Sequence, residues 1–250
     1  MRSSPSVIAH RGASSEAPEN TLAAYRRALE IGVDAVEIDV HLSADAELVV
    51  IHESTLDRTT DGHGLVKDFP LAALRRLDAG RWFDARFAGE RIPTLEEALD
   101  VLRSVRVIIE IKNGPIYYEG IAARAAETVR ATGHRAVTVS SFDHPVLREL
   151  RSVAPDLETA ILFMSRPIDP VRLARDAGAG VLHPNWMWVT PDMIDAAHAA
   201  GLRVEAWTVD EPAHQAHVVS LGVDGIITNY AARLRALLAG SPPGPQPPGR

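Results

Sequence analysis

Four short apolar runs of this chain carry charged or imidazole side chains: Ile8-Ala9-His10-Arg11-Gly12, Val36-Glu37-Ile38-Asp39-Val40, Ile51-His52 and Ile109-Glu110-Ile111-Lys112. Burying an unpaired carboxylate costs on the order of several kcal/mol, so repeated use of such groups in strand-like segments predicts one shared site that takes a cation or an anionic ligand. Residues two apart on a strand face the same side, which makes Glu37 converge with Asp39 and Glu110 with Lys112. Three carboxylates suit a hard divalent cation, Mg²⁺ or Ca²⁺ with Mn²⁺ as a third option, while Arg11 and Lys112 suit the oxygens of a phosphate. The imidazoles of His10 and His52 titrate near neutrality, so one can accept a proton from a nucleophile while the other donates to a leaving group.

Taken singly, a Glu-x-Asp pair in a strand is as well explained by a salt bridge, and a strand-ending histidine by packing. The joint occurrence of two histidines, three carboxylates, an arginine and a lysine at strand ends points instead to a functional site. The other histidines carry weaker claims. His41 is expected to point away from Asp39, and His134, His198, His214 and His217 are expected on helices or their ends as surface or packing residues. His63, in a glycine-bounded turn, and His183, at a strand end, stay open. Trp186 and Trp188 offer either an apolar wall for a substrate or a packing contact with a neighbouring loop.

Such a site needs strands that end together. Short β-branched runs alternate with longer amphipathic segments, the pattern of repeated βα units around a parallel sheet. Eight strands are predicted: Val7 to His10, Ala35 to Val40, Val107 to Ile111, Ala136 to Ser140, Glu158 to Leu162, Gly180 to His183, Arg203 to Trp207 and Gly225 to Thr228. Eight such units predict an α/β fold of the (β/α)8 TIM-barrel class. Thr94-Leu95-Glu96-Glu97 reads as a capping box, and Gly32, Gly133, Gly178, Gly201 and Gly222 fall where helices would end. Leu48 to His52 follows the second strand too soon for a helical crossover and is expected to fold back around Ser43 to Glu47 as a hairpin, setting His52 approximately opposite Glu37.

The expected organisation is one barrel domain over 1–240 with an insertion at about 41–92, followed by a Pro-rich tail over 241–250 expected to be disordered. Within the insertion, a helical stretch Leu71 to Leu77 and the aromatics Trp82, Phe83 and Phe87 are placed to cap the barrel mouth.

At 250 residues and 46% hydrophobic, the chain can bury a large core, and its short loops favour one barrel over two small domains. No apolar run approaches the ~20 residues needed to cross a bilayer, and Met1 to Ser6 shows no signal-like segment, so a cytoplasmic location without stable membrane association is expected. The absence of cysteine excludes disulfides, thiolate ligands and a cysteine nucleophile. A net charge of -7 gives no general attraction to nucleic acid, which leaves a small molecule as the expected partner; oligomeric state has no sequence signature here.

At these residues the chain resembles the glycerophosphodiester phosphodiesterase family, over nearly its whole length to about Leu238. The family's opening His-Arg-Gly is matched at His10 to Gly12, with Ala17-Pro18-Glu19-Asn20-Thr21 behind it; its Glu-x-Asp is matched at Glu37 and Asp39, and its strand-end histidine at His52. Leu56, Arg58, Thr59 and Thr60, then Pro93 to Glu97, Ile109 to Lys112, Ser141-Phe142, Trp207-Thr208-Val209 and Gly222 to Thr228 follow in family order. The resemblance implies a distorted barrel of the phospholipase C-like type with a small insertion after the second strand. It also implies metal-dependent hydrolysis of glycerophosphodiesters to sn-glycerol 3-phosphate and an alcohol, within lipid and glycerol metabolism. In these terms Glu37, Asp39 and Glu110 match the metal ligands, His10 and His52 the general acid and base, Arg11 and Lys112 the phosphate contacts, and Trp207 the aromatic lining the substrate site. Two rival expectations are a phosphodiesterase of the same barrel acting on lysophospholipids or glycerophosphoinositol, for which the insertion's aromatics would form an apolar funnel, and a non-catalytic glycerophosphodiester-binding protein. The chain departs from the family pattern at Glu53, where aspartate is usual, and at Asn229-Tyr230-Ala231, where an acid and a proline are commoner.

Overall fold

The computed structural model describes residues 4–240; the Pro-rich segment 241–250 lies outside the described residues. Nine strands form one sheet: β1 (Ser6–His10), β2 (Ala35–Leu42), β3 (Leu48–Val50), β4 (Arg106–Ile111), β5 (Val137–Ser141), β6 (Glu158–Phe163), β7 (Val181–Pro184), β8 (Arg203–Ala206) and β9 (Gly225–Thr228). Eight of them run parallel in the order β1-β9-β8-β7-β6-β5-β4-β2, and β2 pairs back with β1 to close the barrel. The predicted eight strands are those observed, with boundaries shifted by a residue or two.

Alternation along the strands sorts side chains into two populations. Val7, Ala9, Val36, Ile38, Val40, Val107, Ile109 and Ile111 point outward into the main core beneath the helices. Each fully buried Val or Ile there contributes about 1.5–3 kcal/mol, which offsets the cost of the charged groups on the opposite face. Inside the barrel, Ile8, Ala35, Ile108 and Ile227 form a small apolar layer with Trp207 packed against it. Toward the strand N-termini, that layer gives way to a polar one in which Arg106 donates to Glu205 at 2.8 Å and Arg203 donates to Glu158 at 2.7 Å. Toward the strand C-termini lie the acidic and imidazole groups, where barrel enzymes carry their sites.

The helices begin and end on the predicted signals. Thr94 accepts from the Glu97 amide while Glu97 accepts from the Thr94 amide, a complete capping box on the helix Leu95–Val101. Gly32, Gly133, Gly178 and Gly222 close their helices in the left-handed conformation.

β3 is the antiparallel hairpin partner of β2, and its register corrects one expectation. Val40 faces Val50 and Leu42 faces Leu48, which extrapolates to His52 opposite Ile38 rather than Glu37. The strand ends at Val50, so His52 is placed by the bend that follows it. The insertion beyond has its own small core of Val49, Ile51, Leu56, Val66, Leu74, Ala79 and Ile92, and its α-helix spans only Leu71–Leu74, shorter than predicted.

Candidate active site

The site is assembled from strand ends that are neighbours in the barrel. His10 pairs in register with Glu37, and Asp39 with Glu110, so β1, β2 and β4 alone bring together one imidazole and three carboxylates. The three carboxylates are buried and present ligand atoms within 4.8 Å of one another. His10, Arg11, Glu37, His52, Glu110, Lys112 and Trp207 all line one pocket, along with Ser140, Phe142 and His183. Asp39 is fully buried beside it.

The turn after β1 gives Arg11 its place. Arg11 has φ 58° and Gly12 φ 83°; a Cβ on Gly12 would come within 2.7 Å of the Ala24 Cβ, so only glycine fits there. This left-handed turn aims the Arg11 amide at Glu37 Oε2, 3.0 Å away. Its guanidinium donates to Glu19 at 2.8 Å and lies 3.3 Å from Asp39 Oδ2. Asn20, also left-handed, donates from Nδ2 to the same Oδ2 at 2.8 Å, and Tyr25 donates its hydroxyl to Asn20 Oδ1. Lys112 completes the ring, 2.7 Å from Glu110 Oε1 and 3.5 Å from Asp39 Oδ1.

These partners separate the carboxyls. Burial, with Asp39 and Glu110 beside it, pushes Glu37 well above the ordinary carboxylate range. Burial acts the same way on Asp39, but Arg11 and Lys112 outweigh it and hold that carboxyl below its usual value. Glu110 is raised by burial in spite of Lys112. Glu37 Oε1 and Asp39 Oδ1 are buried without a hydrogen-bond partner. Crowded carboxylates with orphaned oxygens and ionisation disfavoured at Glu37 and Glu110 fit a divalent cation, whose charge removes the repulsion and fills the free lone pairs.

The two histidines are anchored differently. Asn229 Nδ2 donates to Asp210 Oδ2 at 2.7 Å, which turns its Oδ1 toward His10 Nδ1, also 2.7 Å away. His10 therefore carries its proton on Nδ1 and leaves Nε2 facing Glu37 at 3.9 Å. Burial, helped by the neighbouring Arg11, lowers the His10 pKa to about 4, so the ring is neutral at pH 7. His52 instead directs Nδ1 at Glu53 Oε1, 2.9 Å away. Glu53 Oε2 accepts from Arg58 at 2.6 Å, and although burial opposes it, His52 and Arg58 hold the Glu53 carboxyl down at about 2. The longer acid at position 53 thus still reaches the imidazole.

Several expectations need correction. His41 does not turn away: residues two apart on β2 share a face, and His41 follows Asp39 inward. It is 3% exposed, with Nε2 3.1 Å from the His52 carbonyl and Nδ1 2.9 Å from the Tyr118 hydroxyl. His63 is removed from the site, bonded to Asp57 with 84% of its side chain exposed. Trp186 stacks on His214 at 4.0 Å, and neither it nor Trp188 lines the pocket. Trp82, Phe83 and Phe87 pack on one another edge to face and also lie off the pocket lining, whose aromatics are Phe142 and Trp207, 5.5 Å apart. His134 and His198 are packing residues as expected, bonded to the Leu102 carbonyl and to Asp224. Sequence reasoning gave no role to Asn20, Ser14 or Asp210. Ser14 Oγ lies 2.7 Å from Asn229 Oδ1, and the departure from the family pattern at Asn229 was the single pointer to this group.

A closed parallel barrel bearing acids, imidazoles and two cations at one mouth is the architecture of a barrel phosphodiesterase. The chain belongs to the glycerophosphoryl diester phosphodiesterase family, whose model matches residues 10–233. It is 42% identical over 226 residues to a glycerophosphodiester phosphodiesterase of Caldanaerobacter subterraneus subsp. tengcongensis, covering 89% of this chain and 93% of that relative. A Bacillus altitudinis glycerophosphodiester phosphodiesterase is 36% identical over 233 residues, covering 91% and 95%. Among solved structures, an Oleispira antarctica phosphodiesterase in complex with the product sn-glycerol-3-phosphate superposes with a TM-score of 0.87 at 31% identity, covering 95% of this chain and 98% of that one. The chain is thus an enzyme of phosphoric diester hydrolysis. No helix among the described residues is long and apolar enough to cross a membrane.

Proposed function

We propose that this enzyme hydrolyses small glycerophosphodiesters to sn-glycerol 3-phosphate and an alcohol, using a divalent cation and two histidines. The observation that carries this reading is the differential anchoring of His10 and His52, which line one pocket with Glu37 and Glu110 of a buried carboxylate triad. Glu37, Asp39 and Glu110 would hold the cation, Mg²⁺, Ca²⁺ or Mn²⁺, which supplies charge stabilisation at the phosphoryl oxygens. Arg11 and Lys112 sit on either side of Asp39 and supply further positive charge to an anionic substrate.

His10, neutral with Nε2 unprotonated, acts as the general base toward the attacking hydroxyl. His52, whose Nδ1 faces the Glu53 carboxylate, presents Nε2 to the departing alkoxide and serves as the general acid toward it. One P–O bond forms to the attacking oxygen and the P–O bond to the alcohol breaks; the proton taken by His10 and the proton given by His52 balance the step, and water enters either as the attacking group or in opening the cyclic phosphate that a glycerol hydroxyl would form. The insertion's aromatics Trp82, Phe83 and Phe87 lie off the pocket lining, which favours a small headgroup substrate over a lysophospholipid, and a full complement of acid, base and acidic ligands favours catalysis over binding alone.

The test is release of sn-glycerol 3-phosphate from glycerophosphocholine and glycerophosphoethanolamine with each of the three cations and with chelator, His10→Ala serving as control. Cation-dependent release lost in the variant is expected. Near-normal turnover in His10→Ala would refute the assigned role, and no release with any cation would refute the substrate class.

A further inference from the structure

Two of the barrel interior's polar side chains, Ser140 and His183, face the pocket without a part in this reaction. Ser140 on β5, beside Glu110 of β4, is 1% exposed, and His183 on β7 is fully buried. Both line the pocket that contains His10 and His52. Ser140 Oγ and His183 Nδ1 are buried without a hydrogen-bond partner, a state that costs on the order of 1–3 kcal/mol per group when nothing satisfies it. The orphaned oxygens of Glu37 and Asp39 are accounted for by a cation; these two atoms are not.

Their chemistry specifies what would satisfy them. His183 is held fast: Nε2 lies 3.1 Å from Glu205 Oε2, Glu205 is itself bonded to Arg106, and the His183 carbonyl accepts from Trp207 Nε1 at 2.7 Å. With Nε2 engaged by a carboxylate, Nδ1 is the ring atom left to meet a ligand. The Ser140 hydroxyl can rotate to donate or accept. On the intervening strand β6, Ala160 pairs with Ser140, and Leu162, which also lines the pocket, pairs with His183. Both groups line one pocket, and an alcohol, which can donate to one and accept from the other, satisfies the pair.

We infer that Ser140 and His183 form a hydroxyl-recognition subsite that takes the terminal hydroxyl of the substrate's glycerol group, the one farther from the phosphate. The inference rests on the glycerophosphodiesterase reading above. It makes these two residues determinants of specificity, selecting glycerol esters over phosphodiesters of shorter or deoxygenated alcohols.

The test compares kcat/KM, with Mg²⁺, for glycerophosphocholine and for 2-hydroxypropyl phosphocholine, which lacks only the terminal hydroxyl and keeps the one next to the reacting centre. The wild type should prefer glycerophosphocholine by about tenfold or more, and Ser140→Ala or His183→Gln should bring that ratio to within about threefold of one. Preference over 3-hydroxypropyl phosphocholine, which lacks the other hydroxyl, should persist in both variants. Ser140→Ala removes only an unpaired oxygen, so it decides the matter even if His183→Gln does not fold. A wild-type ratio near one, or a ratio unchanged by Ser140→Ala, would overturn the subsite and leave the hydrolase reading standing. A wild type that cleaves none of the three esters would overturn the hydrolase reading and the subsite with it.

Discussion

Asn229 Oδ1 lies 2.7 Å from His10 Nδ1, across 219 residues of sequence, and a carboxylate fixes which way the amide faces. An amide accepts the Nδ1 proton without adding charge, so it sets the tautomer and leaves the ring neutral. We expect Asn229→Leu to lower kcat by about 10–100-fold, the usual loss when the group orienting a functional imidazole is removed. KM should change little, since Asn229 does not line the pocket. Steady-state kinetics on glycerophosphocholine checks this, and a rise in KM with kcat intact would assign Asn229 to substrate binding instead.

Removal of the cation should show in stability as well as rate. The carboxylates of Glu37, Asp39 and Glu110 repel one another in a buried site, so a bound ion stabilises the folded state by about 2.7 kcal/mol at a hundredfold excess over its Kd. Thermal unfolding with Mg²⁺ against chelator should show this as an upward shift in Tm. Glu37→Gln, which removes one charge from the triad, should shrink the shift; an equal shift in the variant would place the ion elsewhere.

Much of this site was legible because strand chemistry is periodic. Alternation alone put Glu37 with Asp39 and Glu110 with Lys112, since the apolar residues between them had to face the helices. What escaped was long-range or sat beyond a strand end. The contact of Asn229 with His10 and that of Asn20 with Asp39 depend on barrel closure and on a left-handed loop, neither of which has a local period. His52 was misplaced by one residue because hairpin register is set by the turn Ser43 to Glu47, where Ser43 Oγ bonds the Glu47 amide. His41 obeys the same alternation as Asp39, and its buried role follows directly from it.

His41 should prove to be a positioning residue for His52. A carbonyl only accepts, so the contact with the His52 carbonyl puts a proton on His41 Nε2 and leaves Nδ1 to accept from Tyr118. Burial lowers the His41 pKa to about 4 and raises that of Tyr118 to about 12, so both keep these forms across the neutral range. His41→Leu leaves the carbonyl and the phenol unpaired. We expect a loss of about 1–3 kcal/mol in stability and roughly a tenfold fall in kcat with unchanged cation affinity. Tyr118→Phe should reproduce a smaller part of both. A variant whose melting point falls while kcat holds would reduce His41 to a structural role.

Acid sensitivity should trace in part to Glu205 at the far end of the barrel from the chemistry. Burial would raise its pKa, but the His183 hydrogen bond and the charge of Arg106 outweigh this and bring it from 4.5 down to about 2. A carboxyl with a depressed folded-state pKa binds fewer protons folded than unfolded between those two values. The stability it contributes is therefore complete above pH 4.5 and is lost as pH falls toward 2, a total of about 3 kcal/mol at 1.36 kcal/mol per unit. Urea unfolding of the wild type and Glu205→Gln should show the variant less stable at pH 7, with the gap narrowing steadily below pH 4.5. A gap that stayed constant down to pH 3 would mean that Glu205 acts there by shape and hydrogen bonding, with its charge contributing nothing.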